Sequence, residues 1–447
     1  MARKNVPAEP IRTYEGAVAS RITPEQMLRR TVCCCLLWEN NFYEDGESQA
    51  ERIKNLIPLV KPEIVAQIAV DVRSIYNLRH TPLYITRTMA ALDSHKHVVA
   101  DTLAQIVQRP DELAEFLAIY WEGEKTFKKS PVSGQVKRGL AKAFTKFNEY
   151  QLAKYNKPNE IKLKDVLKIC HPKPLTAEQG ELFRRLKDDQ LAVPDTWEVA
   201  LSAGKDKKET FERLLRERKL GGLALLRNLR NMTQADVDED LIIEALSTMK
   251  TSNILPFRFI SAAKYAPHLE IHLEVPMLKA VQSMEKLSGK TALLIDHSGS
   301  MQNTISAKSE ITRFDAAGAV GILCRELCED RGFRLFTFAE DCVEIAPRKG
   351  FAMLAAVKEK INPTRTKLGK AVDYIYKVFP QCERLIVITD EQSADRPCAP
   401  YDKGYIINVA GYQNGVGYDN GWVHISGWSE AVIRFIQEYE KIKTVYI

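Results

Sequence analysis

Residues 291–301, Thr-Ala-Leu-Leu-Ile-Asp-His-Ser-Gly-Ser-Met, decide the fold class of the second part of this chain. The apolar run 292–295 predicts a buried parallel strand. Asp296, Ser298 and Ser300 then place one carboxylate and two hydroxyls on the loop that follows the strand. Ligands of open α/β sheets bind at the carboxyl ends of the strands. Because Mg²⁺ prefers oxygen ligands, the stretch predicts a site for Mg²⁺ or another divalent cation.

Two downstream segments contribute to the same predicted site. Residues 384–390, Arg-Leu-Ile-Val-Ile-Thr-Asp, form a second apolar strand that ends in Asp390, and Thr366 lies between the two strands, just before a helical pattern. The set resembles the metal-ion-dependent adhesion site of von Willebrand factor A domains. That resemblance makes Thr366 the third hydroxyl ligand and leaves Arg365 where the family usually has glycine. The alternative is that Asp296 and the serines simply cap a helix.

The segments around this motif alternate between strand and helix patterns. Such alternation predicts an α/β domain with a doubly wound, mostly parallel sheet. The predicted strands are 291–296, 334–338, 384–390 and 405–409, and the predicted helices are 313–329, 351–360, 367–378 and 428–440.

The first part of the chain has a different periodicity. In residues 62–76 the apolar side chains recur at i, i+4 and i+8 behind Pro62, which predicts one buried face of a helix. The same pattern recurs in ranges that short breaks separate. These ranges are 25–42, 82–93, 96–107, 111–121, 136–154, 177–187, 207–217, 219–230, 236–247 and 256–265. Successive helices without strands indicate stacked helical hairpins of the HEAT type, so we predict a helical-repeat domain over 1–287 and an α/β domain over 288–447.

Composition and length indicate a multidomain protein and argue against a membrane-spanning or secreted one. The chain has 447 residues, 45% of them hydrophobic, which suffices for two or three domains with their own cores. It lacks a run of eighteen apolar residues and an apolar segment behind the N-terminus, so we expect neither a membrane span nor a secretory signal. The nine cysteines form no paired framework, which is typical of reduced thiols in a cytoplasmic protein. No motif of a catalytic triad or carboxylate pair supports an enzyme.

Basic side chains concentrate in the helical region. Residues 288–447 carry 20 basic and 20 acidic side chains, so the net charge of +6 belongs entirely to 1–287. From Lys125 to Asn148 there are seven basic residues and no acidic one. Arg138, Lys142 and Lys146 recur at i, i+4 and i+8, a spacing that suits a nucleic-acid backbone. The alternative is an ordinary solvated helix face.

Two further segments connect the helical region to a known family. Residues 163–174, Leu-Lys-Asp-Val-Leu-Lys-Ile-Cys-His-Pro-Lys-Pro, and 225–233, Leu-Leu-Arg-Asn-Leu-Arg-Asn-Met-Thr, resemble the Ro proteins of the TROVE-module family. The resemblance implies a monomeric ring of HEAT-like hairpins that the A domain closes. It also implies binding of Y RNA-like noncoding RNAs on the outer surface, and of the 3′ ends of misfolded RNAs in the central hole.

The resemblance places His171 in the RNA-binding surface, and the basic residues of 137–154 in the corresponding helical region. The predicted RNA-binding residues are Lys128, Lys129, Lys137, Arg138, Lys142, Lys146, Lys154 and His171. The predicted function is a noncatalytic scaffold in RNA quality control and processing, working with a nuclease or another RNA-processing protein. The alternative function is a protein-binding module whose A domain uses Mg²⁺ to capture an acidic partner.

Overall fold

A computed structural model describes residues 10–33, 46–122, 130–251, 254–282, 284–305, 309–360 and 364–445. The chain divides into two compact units. Unit 1 comprises residues 1–49, 222–230 and 243–447, and unit 2 comprises 50–221 and 231–242. The predicted division between 1–287 and 288–447 stays a prediction.

Helices dominate the first part of the described chain. They are α1 (Pro24–Cys33), α2 (Gly46–Leu56), α3 (Pro62–Ser74), α4 (His80–Ala90), α5 (Lys96–Ile106), α6 (Asp111–Tyr120), α7 (Gly134–Phe144), α8 (Glu149–Tyr155), α9 (Leu163–Cys170), α10 (Ala177–Lys187), α11 (Trp197–Ser202), α12 (Lys207–Arg216), α13 (Gly222–Gln234), α14 (Glu239–Thr248), α15 (Phe257–Tyr265) and α16 (Glu270–Gln282). None of the described helices is long and apolar enough to cross a membrane.

The helices of unit 2 pack against one another through their apolar faces, and α5 contacts both α3 and α7. Helix α3 begins at Pro62 and buries Val65, Ile68 and Val72 on one face, as its periodicity predicts. Helix α7 approaches α5 closely at Gly139, where a Cβ atom would lie 2.8 Å from the carbonyl oxygen of Ala100. The small residue therefore lets the two helix backbones meet.

The predicted helix 136–154 is wrong in one respect, because it is two helices. Helix α7 ends at Phe144, and Asn148 starts α8 with a capping box. The side chain of Asn148 accepts from the backbone N–H of Gln151, while Gln151 accepts from the backbone N–H of Asn148. These reciprocal bonds satisfy N–H groups that a helix start leaves without partners, so they favour a new helix over a continuous one.

Unit 1 contains the sheet. Its strands are β1 (Thr291–Asp296), β2 (Phe333–Phe338), β3 (Cys342–Ile345), β4 (Arg384–Thr389), β5 (Lys403–Asn408) and β6 (Val423–Ser426). The order in the sheet is β3-β2-β1-β4-β5-β6, and only β3 runs antiparallel to its neighbour. In the sequence, helix α17 (Arg313–Leu327) lies between β1 and β2, α18 (Gly350–Lys360) and α19 (Leu368–Val378) lie between β3 and β4, and α20 (Ala431–Val445) follows β6.

The two units confirm the predicted fold class of a helical region plus a doubly wound, mostly parallel sheet. Strands β1 and β4 are buried along their whole length, as their unbroken apolar runs predict. The sequence patterns gave no prediction of β3 and β6, each only four residues long, or of helices α2, α9, α11 and α16. The strand order reverses at β1, which lies between β2 and β4. In sheets of this order, the crevice at the reversal point is where ligands bind.

Candidate functional site

The carboxyl ends of β1 and β4 bring the two predicted carboxylates together. Asp296 and Asp390 are fully buried at these neighbouring strand ends. The carboxylate of Asp296 accepts the backbone N–H of Ser298 at 2.8 Å and the hydroxyl of Thr389 at 2.5 Å. Burial, and secondarily repulsion from Asp390, raise the pKa of Asp296 to about 7. Two buried carboxylates at the ends of neighbouring strands favour the binding of a cation.

The predicted hydroxyl groups lie on loops that are hydrogen-bonded at the same sheet edge. The Oγ atoms of Ser298 and Ser300 are 3.3 Å apart. Thr366 is 2% exposed, and the residue two before it, Thr364, accepts the backbone N–H of Gly299 at 2.8 Å. The carbonyl oxygen of Thr366 accepts the N–H of Ala394 at 2.9 Å. The Thr366 loop is therefore bonded both to the loop after β1 and to the loop after β4.

The donor set at this edge fits a hard divalent cation. Its groups are carboxylate and hydroxyl oxygens, the ligand type of Mg²⁺. Within the described ranges, no group of three or more His, Cys, Asp or Glu side chains could hold a metal ion. An ion at the end of β1 would thus depend on the serine and threonine hydroxyls. The residues present fit the ion that the sequence analysis predicts, and the assignment itself stays a prediction.

A buried arginine beside the site was not predicted. Arg313, the first residue of α17, is 3% exposed, and its Nη1 lies 3.4 Å from Oδ2 of Asp390. Two residues later, Asp315 contacts Lys264 at 2.5 Å and Lys358 at 3.3 Å. The start of α17 therefore brings one positive charge, that of Arg313, to Asp390. A sequence pattern gives no signal for this, because an arginine at a helix start is ordinarily exposed.

The predicted RNA-binding side chains have several different environments. Lys128 and Lys129 lie outside the described residues. Lys137 and Arg138 are exposed on the first turns of α7, and within the described part of the chain neither forms an ion pair. Lys142 is paired with Asp101 of α5 at 2.7 Å. These cations are accessible at the surface of unit 2, but Lys142 already has a carboxylate partner.

Lys146 does not continue the face of α7, because the helix ends two residues earlier. Its ammonium group donates to the carbonyl oxygens of Ala104 and Val107, both at 2.5 Å. These carbonyls belong to the C-terminal end of α5, where four oxygens lack partners within the helix. Burial lowers the pKa of Lys146. The side chain of Lys146 therefore caps the C-terminal end of α5, a structural role that does not require RNA.

Lys154 and His171 lie at the surface of the helices that follow. The Nζ of Lys154 lies 5.9 Å from the ring centres of both Tyr150 and Tyr155, and Tyr150 is 48% exposed. His171 is exposed and ends α9 in a left-handed conformation, with φ of +46°. An exposed tyrosine beside a lysine is a side-chain pair on which an unpaired nucleotide base can stack. Tyr150 is not among the residues predicted from the sequence, although its position four residues before Lys154 places the two side chains on the same helix face.

Comparison with known proteins identifies the family. The sequence model of the TROVE domain matches residues 15–190 and 184–332, well over half of the chain. This chain belongs to the TROVE-domain family.

Two relatives show how far this TROVE-domain chain can be compared. Telomerase protein component 1 of Rattus norvegicus is 22% identical over 305 residues; the match covers 49% of this chain and 12% of that protein's length. The crystal structure of the Ro (RSR) protein of Deinococcus radiodurans superposes with a TM-score of 0.58 at 16% identity. That superposition covers 93% of this chain and 99% of the Ro chain, and at such identity it establishes the fold alone.

Proposed function

We propose that this TROVE-domain protein binds small noncoding RNA and serves as a noncatalytic scaffold in RNA quality control and processing. The proposed ligands are Y RNA-like structured RNAs and the single-stranded 3′ ends of misfolded RNAs. The proposed protein partner is a nuclease or another RNA-processing protein, and the proposed setting is a monomer in the cytoplasm. Membership in the family supports the proposal, together with the excess of basic side chains in residues 1–287.

The single observation that carries the RNA proposal is the exposed pair Lys137 and Arg138. Both lie at the start of α7, where the positive end of the helix dipole adds to their charge. Each phosphate contact releases condensed counterions, so log affinity falls with log salt by roughly 0.7 to 0.9 per contact. Exposed cations with no intramolecular partner among the described residues can bind phosphate without first breaking an ion pair.

The test is the affinity for a structured and for a single-stranded RNA at several salt concentrations. Replacing Lys137 and Arg138 with Ala should weaken binding and reduce the salt slope by about 1.4 to 1.8. Replacing Lys205 and Lys207, also exposed in unit 2, with Ala is the matched control and should leave the slope unchanged. An unaltered slope in the first variant would contradict the proposed RNA surface.

We also propose that Ser298, Ser300 and Thr366 bind Mg²⁺ directly, while Asp296 and Asp390 hold its water molecules. Such an ion would keep some electrophilic character, since its direct protein ligands would be neutral, and could take an acidic group from a partner. An ion that binds only the folded chain stabilises it by about 2.7 kcal/mol at a hundredfold excess over the dissociation constant. Mg²⁺ should therefore raise the thermal unfolding midpoint of the wild type, and Ser298→Ala should abolish the rise.

The second candidate function, capture of an acidic protein segment by the A domain, rests on the metal site proposed here. The two candidates differ in what Mg²⁺ does. Under the RNA proposal, chelation of Mg²⁺ leaves binding of a single-stranded RNA near its original affinity. Under the alternative, an acidic peptide binds only when Mg²⁺ is present, and RNA affinity stays low at physiological salt. Fluorescence anisotropy with both ligands, with and without chelator, separates the two.

A further inference from the structure

A short N-terminal segment lies against the loop that follows β4. Within residues 11–20 of unit 1, the hydroxyl of Thr13 donates to the carbonyl oxygen of Ser393 at 2.6 Å. The backbone N–H of Tyr14 donates to the side-chain oxygen of Gln392 at 2.8 Å. Gln392 and Ser393 lie two and three residues after Asp390 in the sequence. The segment thus holds the loop that carries one of the proposed metal-site carboxylates.

The same segment also contacts the loop that carries Thr366. Glu15 accepts Nε of Arg365 on its carboxylate at 3.1 Å and Nη2 of Arg365 on its carbonyl oxygen at 3.1 Å. Arg365 is the residue immediately before Thr366. It therefore does what a glycine at this position could not do: it connects the Thr366 loop to the N-terminal segment.

The segment has a defined conformation of its own. Arg12 and Val18 form an antiparallel bridge, and Gly16 between them has φ of +100°, a conformation that suits glycine. The backbone N–H of Ala17 donates to the hydroxyl of Thr13 at 3.0 Å. Thr13 is 5% exposed and Ala17 is 6% exposed, and Ala17 packs in the hydrophobic cluster that contains Leu368. The turn is therefore packed into the core of unit 1.

An arginine of α1 contacts the loop after β4 at the residue next to Asp390. Arg30 is fully buried and donates to the carbonyl oxygens of Tyr412 at 2.6 Å and Asn414 at 3.0 Å. It also forms an ion pair with Glu391, the neighbour of Asp390. Glu391 has φ of +59°, a left-handed conformation that is strained for a glutamate and persists only when contacts hold it. Arg30 supplies one such contact.

We propose that residues 11–20 act as a strap that positions the two loops of the metal site. Thr13 and Glu15 of the strap, together with Arg30 of α1, are then positioning residues for a cation that none of them touches. The inference rests on the metal site proposed above. If the strap orders the Thr366 and Asp390 loops, docking of the strap and binding of Mg²⁺ strengthen each other by the same factor, since coupling between two sites is reciprocal.

The first test compares Thr13→Val with the wild-type full chain. Valine keeps the shape of threonine but removes the hydroxyl, which leaves the Ser393 carbonyl and the Ala17 N–H without their partner. Hydrogen exchange of the amides in 364–369 and 390–394, measured without metal, should become faster by ~10-fold, and Mg²⁺ affinity measured by calorimetry should fall by a similar factor. The control is Glu25→Gln, which removes a surface pair with Arg29 on α1 and should alter neither quantity.

The second test exchanges the charges of the Glu15 and Arg365 pair. Glu15→Arg and Arg365→Glu each place like charges opposite one another, so each should speed exchange in 364–369 and weaken Mg²⁺ binding by about threefold to fivefold. The double variant restores an opposite-charge pair and should recover most of both losses. Recovery in the double variant shows that the pair itself matters, rather than either side chain for another reason.

The outcomes separate the strap from the metal site. If loop exchange is unchanged in Thr13→Val and in both charge variants, the strap proposal is overturned, whatever the metal does. If the wild type binds no Mg²⁺ while loop exchange responds as expected, the strap positions the loops and the proposed metal site is wrong. If both readouts respond and the charge swap rescues both, the strap and the metal site are supported together.

Discussion

Single residues decide which of the cations in the basic run are available to RNA. Lys137 and Arg138 project from the first turns of α7, whereas Lys142 pairs with Asp101, and Lys146 binds the carbonyl end of α5. All four side chains carry the same formal charge in the sequence. Their differing partners predict different consequences for RNA binding and for stability.

Lys146→Met should lower stability more than it lowers RNA affinity. The variant keeps the apolar stem of the side chain but removes the donor to Ala104 and Val107, so we expect a loss of about 1 kcal/mol at the end of α5. Hydrogen exchange of the amides in the last turn of α5 measures this loss. The dependence of RNA affinity on salt should be close to that of the wild type in Lys146→Met. If the slope of log affinity against log salt fell by roughly 0.7 to 0.9, the value of one phosphate contact, Lys146 would be shown to bind RNA.

Asp101→Ala should strengthen RNA binding if Lys142 contacts phosphate. The pair is exposed, so separating it costs little, but it still competes with a phosphate for the ammonium group. Affinity at low salt should rise by roughly twofold to threefold. Glu181→Ala, which removes one of the two exposed carboxylates paired with Arg184 on α10, is the control and should leave affinity unchanged. Equal gains in the two variants would indicate a general charge effect.

At the scale of elements, an interruption between two helices decides the position of side chains that helical periodicity alone would place wrongly. The apolar pattern over 136–154 is helical throughout, yet α7 and α8 are separated by residues 145–148. Asn148 begins the second helix with a capping box, so Lys154 belongs to a different helix from Arg138. The break therefore divides the predicted basic face between two elements.

Asn148→Ala should loosen α8 selectively. Loss of the capping box typically costs about 1 kcal/mol, because the first N–H groups of the helix lose an acceptor. Hydrogen exchange of the amides in 150–155 should become about fivefold faster, while those in α3 remain unchanged. Asn159→Ala, an exposed asparagine with no capping role in the structure, is the control. Unchanged exchange in Asn148→Ala would mean that packing alone sets the start of α8.

At the scale of the whole molecule, charge and metal chemistry belong to different parts of the chain. The net charge of +6 derives from residues 1–287, and the proposed metal ligands lie in 296–390. The fold class and the TROVE family are established, whereas the closed ring that the family resemblance implies stays a prediction. Because these two features are separate in the sequence, we expect residues 1–287 to bind RNA and the metal site to bind a different partner.

Asp296→Asn should separate the two roles. Asparagine preserves the size of the buried side chain but removes one of the two carboxylates that would hold the water molecules of Mg²⁺. We expect the Mg²⁺-dependent rise in the unfolding midpoint to disappear and RNA affinity to remain within about twofold of wild type. A large loss of RNA affinity in the folded variant would contradict separate roles.

The sequence by itself determined the features that depend on neighbouring residues in the chain. Unbroken apolar runs predicted β1 and β4, and the polar residues directly behind them predicted which strand ends would carry oxygen ligands. Helical periodicity predicted most helices of unit 2, because a buried face recurs at a fixed spacing. The segments 163–174 and 225–233 were sufficient to recognise the family, which the TROVE-domain match confirms.

Only the tertiary structure decided the features that depend on which distant loops meet. The bond from Thr13 to Ser393 joins residues 380 positions apart, and that from Arg30 to Glu391 joins residues 361 positions apart. The left-handed conformation of Glu391 and the burial of Arg313 likewise follow from contacts made across the fold. Local patterns record whether a side chain is buried, but they do not record its partner, because that partner is set by the packing of elements far apart in the chain.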